Sequence, residues 1–265
     1  MTGLMPRRVL PILMYHRLGK PVGGDRSLWI DEETFVRQLG WLQENGYETL
    51  SVHDAVVLQA SNRAPRNTVL ITIDDAFSET LTVAAGALRD FAMRATVFVA
   101  AGLMGQEVEL GSPNGEPESG SAGHIADRDQ LIAWTEQGLD IGSHSMTHAD
   151  LTRIQPEQIL NEAGRSKELL EELLGVQIED FCYPYAHHNS ICRKLVARCG
   201  YRAAFAGEPP VRNLFAIPRM MVYPQDSLTR FRRKASGYYY WLSAWHRRIS
   251  FRGMKDSAAR ETISE

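Results

Sequence analysis

Short apolar runs alternate with amphipathic segments along most of the 265-residue chain, and this alternation constrains the fold more than any other feature. Runs such as TVLITI and ATVFVAA are continuously apolar, which is typical of strands buried on both faces. Between the apolar runs, segments such as residues 31–46 and 156–174 carry apolar residues at helical spacing. Repeated strand–helix units favour a mostly parallel sheet, and this length suits one α/β barrel. We therefore predict a barrel-like domain over residues 1–225.

The bulk composition argues against a disordered, a nucleic-acid-binding or a membrane-spanning protein. A chain with 44% hydrophobic and 23% charged residues is an ordinary globular protein rather than a disordered one. A net charge of -3 gives no indication of nucleic-acid binding. The chain shows neither a signal peptide nor a run of the ~20 apolar residues needed to span a bilayer, so we expect a cytoplasmic protein. Cys182, Cys192 and Cys199 form no CxxC pair and are expected to be reduced thiols.

Two segments depart from the alternation. Residues 102–123 are rich in Gly, Pro and Ser without periodicity, which favours a long mobile loop: a lid, a binding loop or a tolerated insertion. Residues 227–255 contain eight Lys or Arg and no Asp or Glu, interleaved with aromatic residues. This mixture suits the surface of an anionic membrane. A terminal helix packed on the barrel would also explain it, whereas nucleic acid is a weaker option. We treat residues 226–265 as a basic, aromatic-rich appendage.

Polar residues with metal-binding chemistry follow three of the predicted strands. Asp74 and Asp75 follow TVLITI, His144 and His148 follow LDI, and the segment YPYAHHN follows IEDFC. Sites in barrels gather at the carboxyl ends of the strands, so these residues are expected to meet. One carboxylate and two imidazoles make a three-ligand set with an open position, as in catalytic zinc sites. The second carboxylate could then take a proton from water. The alternative is that one aspartate caps the next helix and the other is solvated.

Taken together, these motifs resemble those of the polysaccharide deacetylases, carbohydrate esterase family four with the NodB homology domain. The family's first motif, Thr-Phe-Asp-Asp-Gly, corresponds to residues 72–76, and its second, His-Ser/Thr-x-x-His, to residues 144–148. The third ends in Pro-Tyr, here Pro184 and Tyr185. The stretch LPILMYHRLG resembles the opening strand of the branch that acts on bacterial exopolysaccharides. The resemblance extends over about residues 9–222.

The resemblance implies a distorted (β/α) barrel and metal-assisted removal of N-acetyl groups from amino sugars. It implies that Asp75, His144 and His148 hold a divalent metal ion, most often zinc. It also implies that Asp74 is the general base and that the backbone N–H of Tyr185 helps to bind the oxyanion. The physical chemistry agrees, because a metal lowers the pKa of its bound water towards ~7 and stabilises the developing negative charge together with the N–H group.

The chain departs from the family pattern in its first and third motifs. Ala76 replaces the motif glycine, which is tolerable if the backbone there does not need a positive φ. Many members have an arginine two residues before the third-motif proline, where it orients the base, and Cys182 stands there instead. We hypothesise that Arg219, beside a neighbouring strand end, steadies Asp74 in its place. A surface arginine is the alternative.

The late Leu-x-His motif, which usually supplies the general acid, is not found. His187, or His188 beside it, is the candidate replacement because both follow the third motif directly. Either could instead line the sugar groove or cap the next helix. His16 also ends a predicted strand, and for it we expect a structural role.

The leading functional hypothesis is a metal-dependent N-deacetylase, a hydrolase that acts on an amino sugar of a bacterial cell-envelope or exopolysaccharide glycan. The basic tail and the missing export signal favour a lipid-linked precursor and a peripheral position on the inner membrane face. The alternatives are a deformylase of a lipid-linked amino sugar and a catalytically silent glycan- or lipid-binding relative. The sequence leaves the sugar, the metal and the oligomeric state open.

Overall fold

A computed structural model describes residues 9–21, 26–61, 64–111, 117–207 and 213–239, with the side chains of all of them except 111 and 117–121. The strands are β1 (Ile12–Tyr15), β2 (Arg17–Leu18), β3 (Trp29–Ile30), β4 (Glu48–Thr49), β5 (Thr68–Ile73), β6 (Thr96–Val99), β7 (Glu107–Gly111), β8 (Pro117–His124), β9 (Asp140–Ser143), β10 (Asp180–Cys182), β11 (Ala203–Ala206), β12 (Ile217–Pro218) and β13 (Met220–Met221). The helices are α1 (Glu32–Glu44), α2 (Val52–Ser61), α3 (Ser78–Asp90), α4 (Arg128–Glu136), α5 (Pro156–Leu174), α6 (Ser190–Arg198) and α7 (Leu228–Ala235).

Eight parallel strands form a nearly closed barrel. Their order is β12-β11-β10-β9-β6-β5-β1-β13, and β4 pairs with β5 outside this path. The barrel nearly closes because its two edge strands, β12 and β13, are separated in the chain by a single residue, Arg219. The predicted (β/α) barrel is therefore confirmed. All strand ends that carry the site residues lie at the same face, since the strands run in one direction.

The core explains why the strands are continuously apolar. Every residue of β5 is buried, with the barrel interior on one side and helices on the other. Helix α1 turns Phe35, Leu39 and Leu42 into this core, as their helical spacing predicts, and Asp31 caps its first turn. Helix α5 has the bounds that were predicted for it, and it ends at Gly175, whose φ of 66° suits glycine. The three cysteines are free thiols, as expected.

The prediction of a long mobile loop over residues 102–123 is wrong for most of the residues in this range that the structure describes. Strands β7 and β8 pair there as an antiparallel hairpin. The alternation Glu-Val-Glu-Leu in β7 directs Val108 and Leu110 towards the core, a period-2 signal that the surrounding Gly, Pro and Ser obscured. A Cβ at Gly123 would lie 2.9 Å from the ring of Phe77, so the hairpin approaches the barrel closely only because glycine stands there.

The C-terminal part of the described chain packs on the barrel. Phe231 of α7 is fully buried, and Lys234 forms a buried ion pair with Asp226. Of the segment 227–255, for which membrane contact was predicted, residues 240–255 lie outside the described residues. Within the described ranges, the helices lack either the length or the apolar character that crossing a bilayer requires.

Candidate active site

A cleft of about 170 Å³ opens where the carboxyl ends of the barrel strands meet. Asp74 and Asp75 follow β5, and His144 follows β9, two positions away in the sheet. Tyr185 follows β10, the neighbour of β9, and Arg219 connects the two edge strands. All five residues line the cleft. The structure thus brings together residues that are far apart in the sequence, because strand direction fixes where each strand ends.

Three side chains in the cleft have the geometry of a metal site. The Oδ1 atom of Asp75 lies 3.5 Å from Nε2 of His144 and 3.3 Å from Nε2 of His148. Tetrahedral ligands that are ~2.0–2.1 Å from a zinc ion lie about 3.3–3.4 Å from one another. This oxygen is buried and has no hydrogen-bond partner among the described residues. A buried carboxylate oxygen without a partner is costly, so the donor set fits a divalent cation.

The surroundings orient these ligands. The Nδ1–H group of His144 donates to the carbonyl oxygen of Cys182 at 2.8 Å, which fixes the ring with its Nε2 atom facing Asp75. Burial alone would raise the pKa of Asp75, but the imidazoles of His144 and His148 hold it well below its ordinary value. The carboxylate is therefore ionised and able to bind a metal ion at neutral pH.

The first motif has a backbone that favours glycine. Asp75 and Ala76 both adopt left-handed conformations, with φ of 70° and 58°. The condition under which Ala76 was expected to be tolerable, a backbone without positive φ, is therefore not met. A non-glycine residue in this region costs about 1–3 kcal/mol and persists only where its surroundings hold it. Ala76 is fully buried, and its carbonyl accepts from the N–H group of Ala126 at 2.8 Å, so the surrounding structure holds the turn.

Asp74 is paired with a buried arginine. The guanidinium of Arg219 donates to both carboxylate oxygens of Asp74, at 2.6 and 2.7 Å, and both side chains are almost fully buried. Burial alone would raise the pKa of Asp74, but the charge and hydrogen bonds of Arg219 lower it below its ordinary value. Arg219 also donates to Thr72, which fixes the plane of the guanidinium. The pair keeps Asp74 ionised and oriented, and the catalytic role predicted for each residue stays a prediction.

Cys182 lies between His144, one of the candidate metal ligands, and the ion pair of Asp74 and Arg219. Its Sγ atom accepts from Nη2 of Arg219 at 2.9 Å and lies 3.7 Å from Oδ2 of Asp74. Burial raises the pKa of the Cys182 thiol, so the side chain is neutral. A small uncharged residue at this position leaves room for Arg219 to reach Asp74 from the barrel edge.

His16 is a site residue for which sequence reasoning expected a structural role. It directly follows β1, lines the cleft, and places its Nε2 atom 3.9 Å from Oδ2 of Asp74. Its Nδ1 atom is buried and has no hydrogen-bond partner in the described part of the chain. Burial lowers the pKa of His16, and the charge of Asp74 opposes that shift. The sequence could have indicated that His16 lies in the cleft, because His16 directly follows a strand just as Asp74 does.

The third motif contributes Tyr185 but not His187 to the cleft. Tyr185 lies in a 3-10 turn with φ of 58°, and its ring packs 4.7 Å from that of His148. His187 is not among the described residues that line the cleft. Its Nδ1 atom instead lies 2.8 Å from Oδ2 of Asp150, and nearly half of its side chain is exposed. The structure gives His187 a partner outside the cleft.

Comparison with known proteins identifies the family. The family profile described as "Polysaccharide deacetylase" matches residues 61–204, more than half of the chain. The chain belongs to the polysaccharide deacetylase family. Members of this family generally use a divalent metal ion, and Asp75, His144 and His148 form a candidate site for one.

Individual relatives agree with this membership. A putative polysaccharide deacetylase of Bacillus subtilis, YxkH, is 27% identical over 227 residues, 84% of this chain and 74% of the relative. The Streptococcus pyogenes deacetylase PplD, solved with acetate, superposes with a TM-score of 0.72 at 22% identity, covering 85% of this chain and 97% of PplD. IcaB from Ammonifex degensii superposes with a TM-score of 0.73 at 21% identity, covering 86% of this chain and 97% of IcaB. At these identities the superpositions show a shared fold.

Part of the lining of the cleft in this polysaccharide deacetylase is apolar. Apolar lining residues come from five segments of the chain: Met14, Leu28 and Trp29, Phe77, Leu110, and Met221. Arg17 lies between two of them, with its guanidinium carbon 3.6 Å from the Phe77 ring centroid and 4.3 Å from that of Trp29. Its Nη2 atom is 2.7 Å from Glu79, so its charge is compensated. The cleft therefore combines candidate metal ligands with apolar side chains.

Proposed function

We propose that this deacetylase is a metal-dependent hydrolase that removes N-acetyl groups from an amino sugar of a bacterial cell-envelope or exopolysaccharide glycan. The single observation that carries the proposal is the convergence of Asp75, His144 and His148 around one buried carboxylate oxygen that has no hydrogen-bond partner among the described residues. Asp74, paired with Arg219, lies beside this set. Four such residues in this geometry argue against a catalytically silent binding module.

The proposed reaction divides the roles between the two aspartates. A divalent ion held by Asp75, His144 and His148, most often zinc in this family, would polarise the amide carbonyl and lower the pKa of a water molecule. Asp74 is the general base: its carboxylate, kept ionised by Arg219, accepts a proton from the attacking water. The backbone N–H group of Tyr185 is proposed to donate to the oxyanion that forms on the acetyl carbon.

The departing amine needs a proton, and we assign this to His16. Burial lowers the pKa of His16, so its imidazole is neutral before the reaction, and the proton that Asp74 takes from water is passed to His16. The C–N bond then breaks as the tetrahedral carbon collapses to acetate, and the amino group of the sugar accepts this proton from His16. His16 lies in the cleft, 3.9 Å from Asp74, whereas His187 is paired with Asp150. His16 therefore replaces His187 as the proposed proton donor.

The dimensions of the cleft support an acylated sugar as substrate. A cleft of about 170 Å³ is larger than an acetyl or a formyl group, so it also admits part of a sugar ring. The size of the cleft does not distinguish an acetyl from a formyl group, and a deformylase would use the same metal site. The acetate in the Streptococcus pyogenes relative supports the acetyl group.

The proposal also includes a substrate that is bound to the membrane. In the described residues, Arg232 and Arg233 of α7 are exposed, whereas Lys234 is buried against Asp226. The exposed arginines and the aromatic residues that follow support peripheral contact with anionic lipid, and with it a lipid-linked precursor as substrate. Co-sedimentation of the full chain with vesicles tests this contact. Binding that does not depend on anionic lipid, or no binding at all, would count against it.

Activity is tested with the full chain, loaded with zinc, on N-acetylated glucosamine oligomers. The released acid is identified by proton NMR, which separates acetate from formate. The Asp75→Asn variant is the matched control. Acetate release that depends on both zinc and Asp75 supports the proposal, formate from a formylated sugar indicates the deformylase, and sugar binding without any release indicates the silent relative.

A further inference from the structure

The loop that carries the two histidines has a strained backbone. It joins β9 to the segment before α5, and both Ser145 and His148 adopt left-handed conformations, with φ of 67° and 61°. Non-glycine residues stay in this region only where neighbouring contacts hold them. The position of His148 relative to His144 therefore depends on what holds the residues between them.

One side of this loop is held by the segment that follows β6. The N–H groups of Ala101 and Gly102 donate to the carbonyl oxygens of Ser145 and Met146, at 3.0 and 2.8 Å. A Cβ at Gly102 would lie 2.8 Å from the carbonyl oxygen of Met146, so this approach requires glycine. These bonds restrain the carbonyl groups of the loop and leave its N–H groups to another partner.

That partner is Glu162, a half-buried residue of α5. Its Oε2 atom accepts from the N–H groups of Met146 and Thr147, both at 2.9 Å. Its Oε1 atom accepts from the hydroxyl of Thr147 at 2.7 Å. Both oxygens of one carboxylate are thus bound to the segment between the histidines, and hydrogen bonds to an ionised acceptor are stronger than those between neutral groups.

We propose that Glu162 is a positioning residue for the metal centre. Its carboxylate fixes the backbone at residues 146 and 147 and thereby keeps Nε2 of His148 at ligand distance from Asp75. His144 has an anchor of its own in the carbonyl of Cys182, so the effect of Glu162 falls on His148. This role rests on the proposed metal site, and it assigns to α5 a part in the chemistry of the cleft.

The test measures zinc affinity rather than activity. The dissociation constant of the full chain for Zn²⁺ is determined by competition with a chromophoric chelator for the wild type, Glu162→Gln and Glu168→Gln. Glu168 is exposed on the same helix and pairs only loosely with Arg165, so it is the matched control. We expect Glu162→Gln to weaken binding by roughly 10- to 100-fold, the usual effect of losing a group that orients a ligand. The control is expected to bind as the wild type does.

Thermal melts of the metal-free proteins distinguish positioning from a merely structural role. If Glu162→Gln lowers the melting temperature but the folded variant binds zinc as tightly as the wild type, the positioning role is refuted and the proposed function remains. If the wild type binds no zinc, both are refuted. Should Glu162→Gln not fold, Glu162→Asp keeps the charge but withdraws it from the loop. Unchanged zinc affinity in that variant also overturns the role.

Discussion

The ion pair between Asp74 and Arg219 makes a prediction about the pH dependence of the reaction. The two side chains are 3% and 1% exposed and are joined by two short hydrogen bonds. Arg219→Gln keeps a long polar side chain but removes the charge. Asp74 then remains buried without the cation that holds its pKa below 3.8. Burial, which raises the pKa of a carboxyl group, becomes the dominant effect.

The magnitude follows from the separation of the charges. At about 4 Å between charge centres and an effective dielectric constant near 20, the attraction is about 4 kcal/mol. One pKa unit corresponds to about 1.36 kcal/mol, so removing the charge raises the pKa of Asp74 by up to about 3 units. Carboxyl groups beside an arginine are typically shifted by about 1–3 units, which agrees. The base must be ionised, so activity in the variant is lost as the pH falls through this raised value.

The assay is the pH profile of kcat/KM for acetate release between pH 4 and 9, with the zinc content measured at each pH. Zinc must be followed because protonation of the metal-binding histidines also reduces activity at low pH. We expect the acidic limb to move upward by about 1–3 units in Arg219→Gln and by less in Arg219→Lys, which keeps the charge but not the paired hydrogen bonds.

Stability has to be controlled, because removing one partner of a buried ion pair costs about 3–5 kcal/mol. Thermal melts therefore fix an assay temperature at which all three proteins are folded. An acidic limb that stays in place in folded, zinc-loaded Arg219→Gln would refute the reasoning, since Asp74 would then not depend on Arg219 for its charge.

Three further predictions follow from the geometry. Asp75→Asn should reduce bound zinc to well below one equivalent and abolish acetate release; activity that survives both this change and a chelator contradicts the metal site. His16→Gln should lower kcat by roughly 10²–10⁴-fold with zinc affinity unchanged, whereas His187→Ala should keep most activity, and the reverse ranking would restore His187 as the proton donor. Burial, partly offset by Arg202, raises the pKa of Asp180 from 3.8 to about 6, so the folded state binds a proton more tightly than the unfolded chain does. The contribution of Asp180 to the free energy of unfolding should therefore fall by about 3 kcal/mol as the pH rises from 3.8 to 6, and the difference between the wild type and Asp180→Asn in urea titrations should show this slope.

Much of the fold could be predicted because its signals are local. The six buried residues of β5, four of them apolar, and the periodicity of α5 are properties of short, continuous segments. The meeting of the site residues followed from one further rule, that parallel strands end at the same face. Strands β12 and β13 have two residues each, too few to show any period, and they were not predicted.

The features that were missed depend on contacts between distant segments. The hairpin of β7 and β8 is stabilised by packing of Val108 and Leu110 on the core, which its Gly-rich composition does not show. The left-handed conformation of Ala76 depends on the turn held by Ala126, fifty residues further along the chain. His16 differs from these, because its position after β1 was visible in the sequence. A histidine at a strand end was expected to be structural rather than a metal ligand.

The contact between Cys182 and Arg219 links the sequence pattern to the proposed chemistry. Arg219 comes from the barrel edge, yet its Nη2 atom lies 2.9 Å from the sulfur of Cys182, the position at which the resemblance to the family implies an arginine. Since β10, β11 and β12 are adjacent, a side chain as long as arginine can reach Asp74 from either position. Two arginines would place like charges in one buried space, so the position without the arginine has to be small and neutral. If Arg219 positions Asp74 as proposed, the chemistry constrains where the guanidinium ends rather than which strand supplies it.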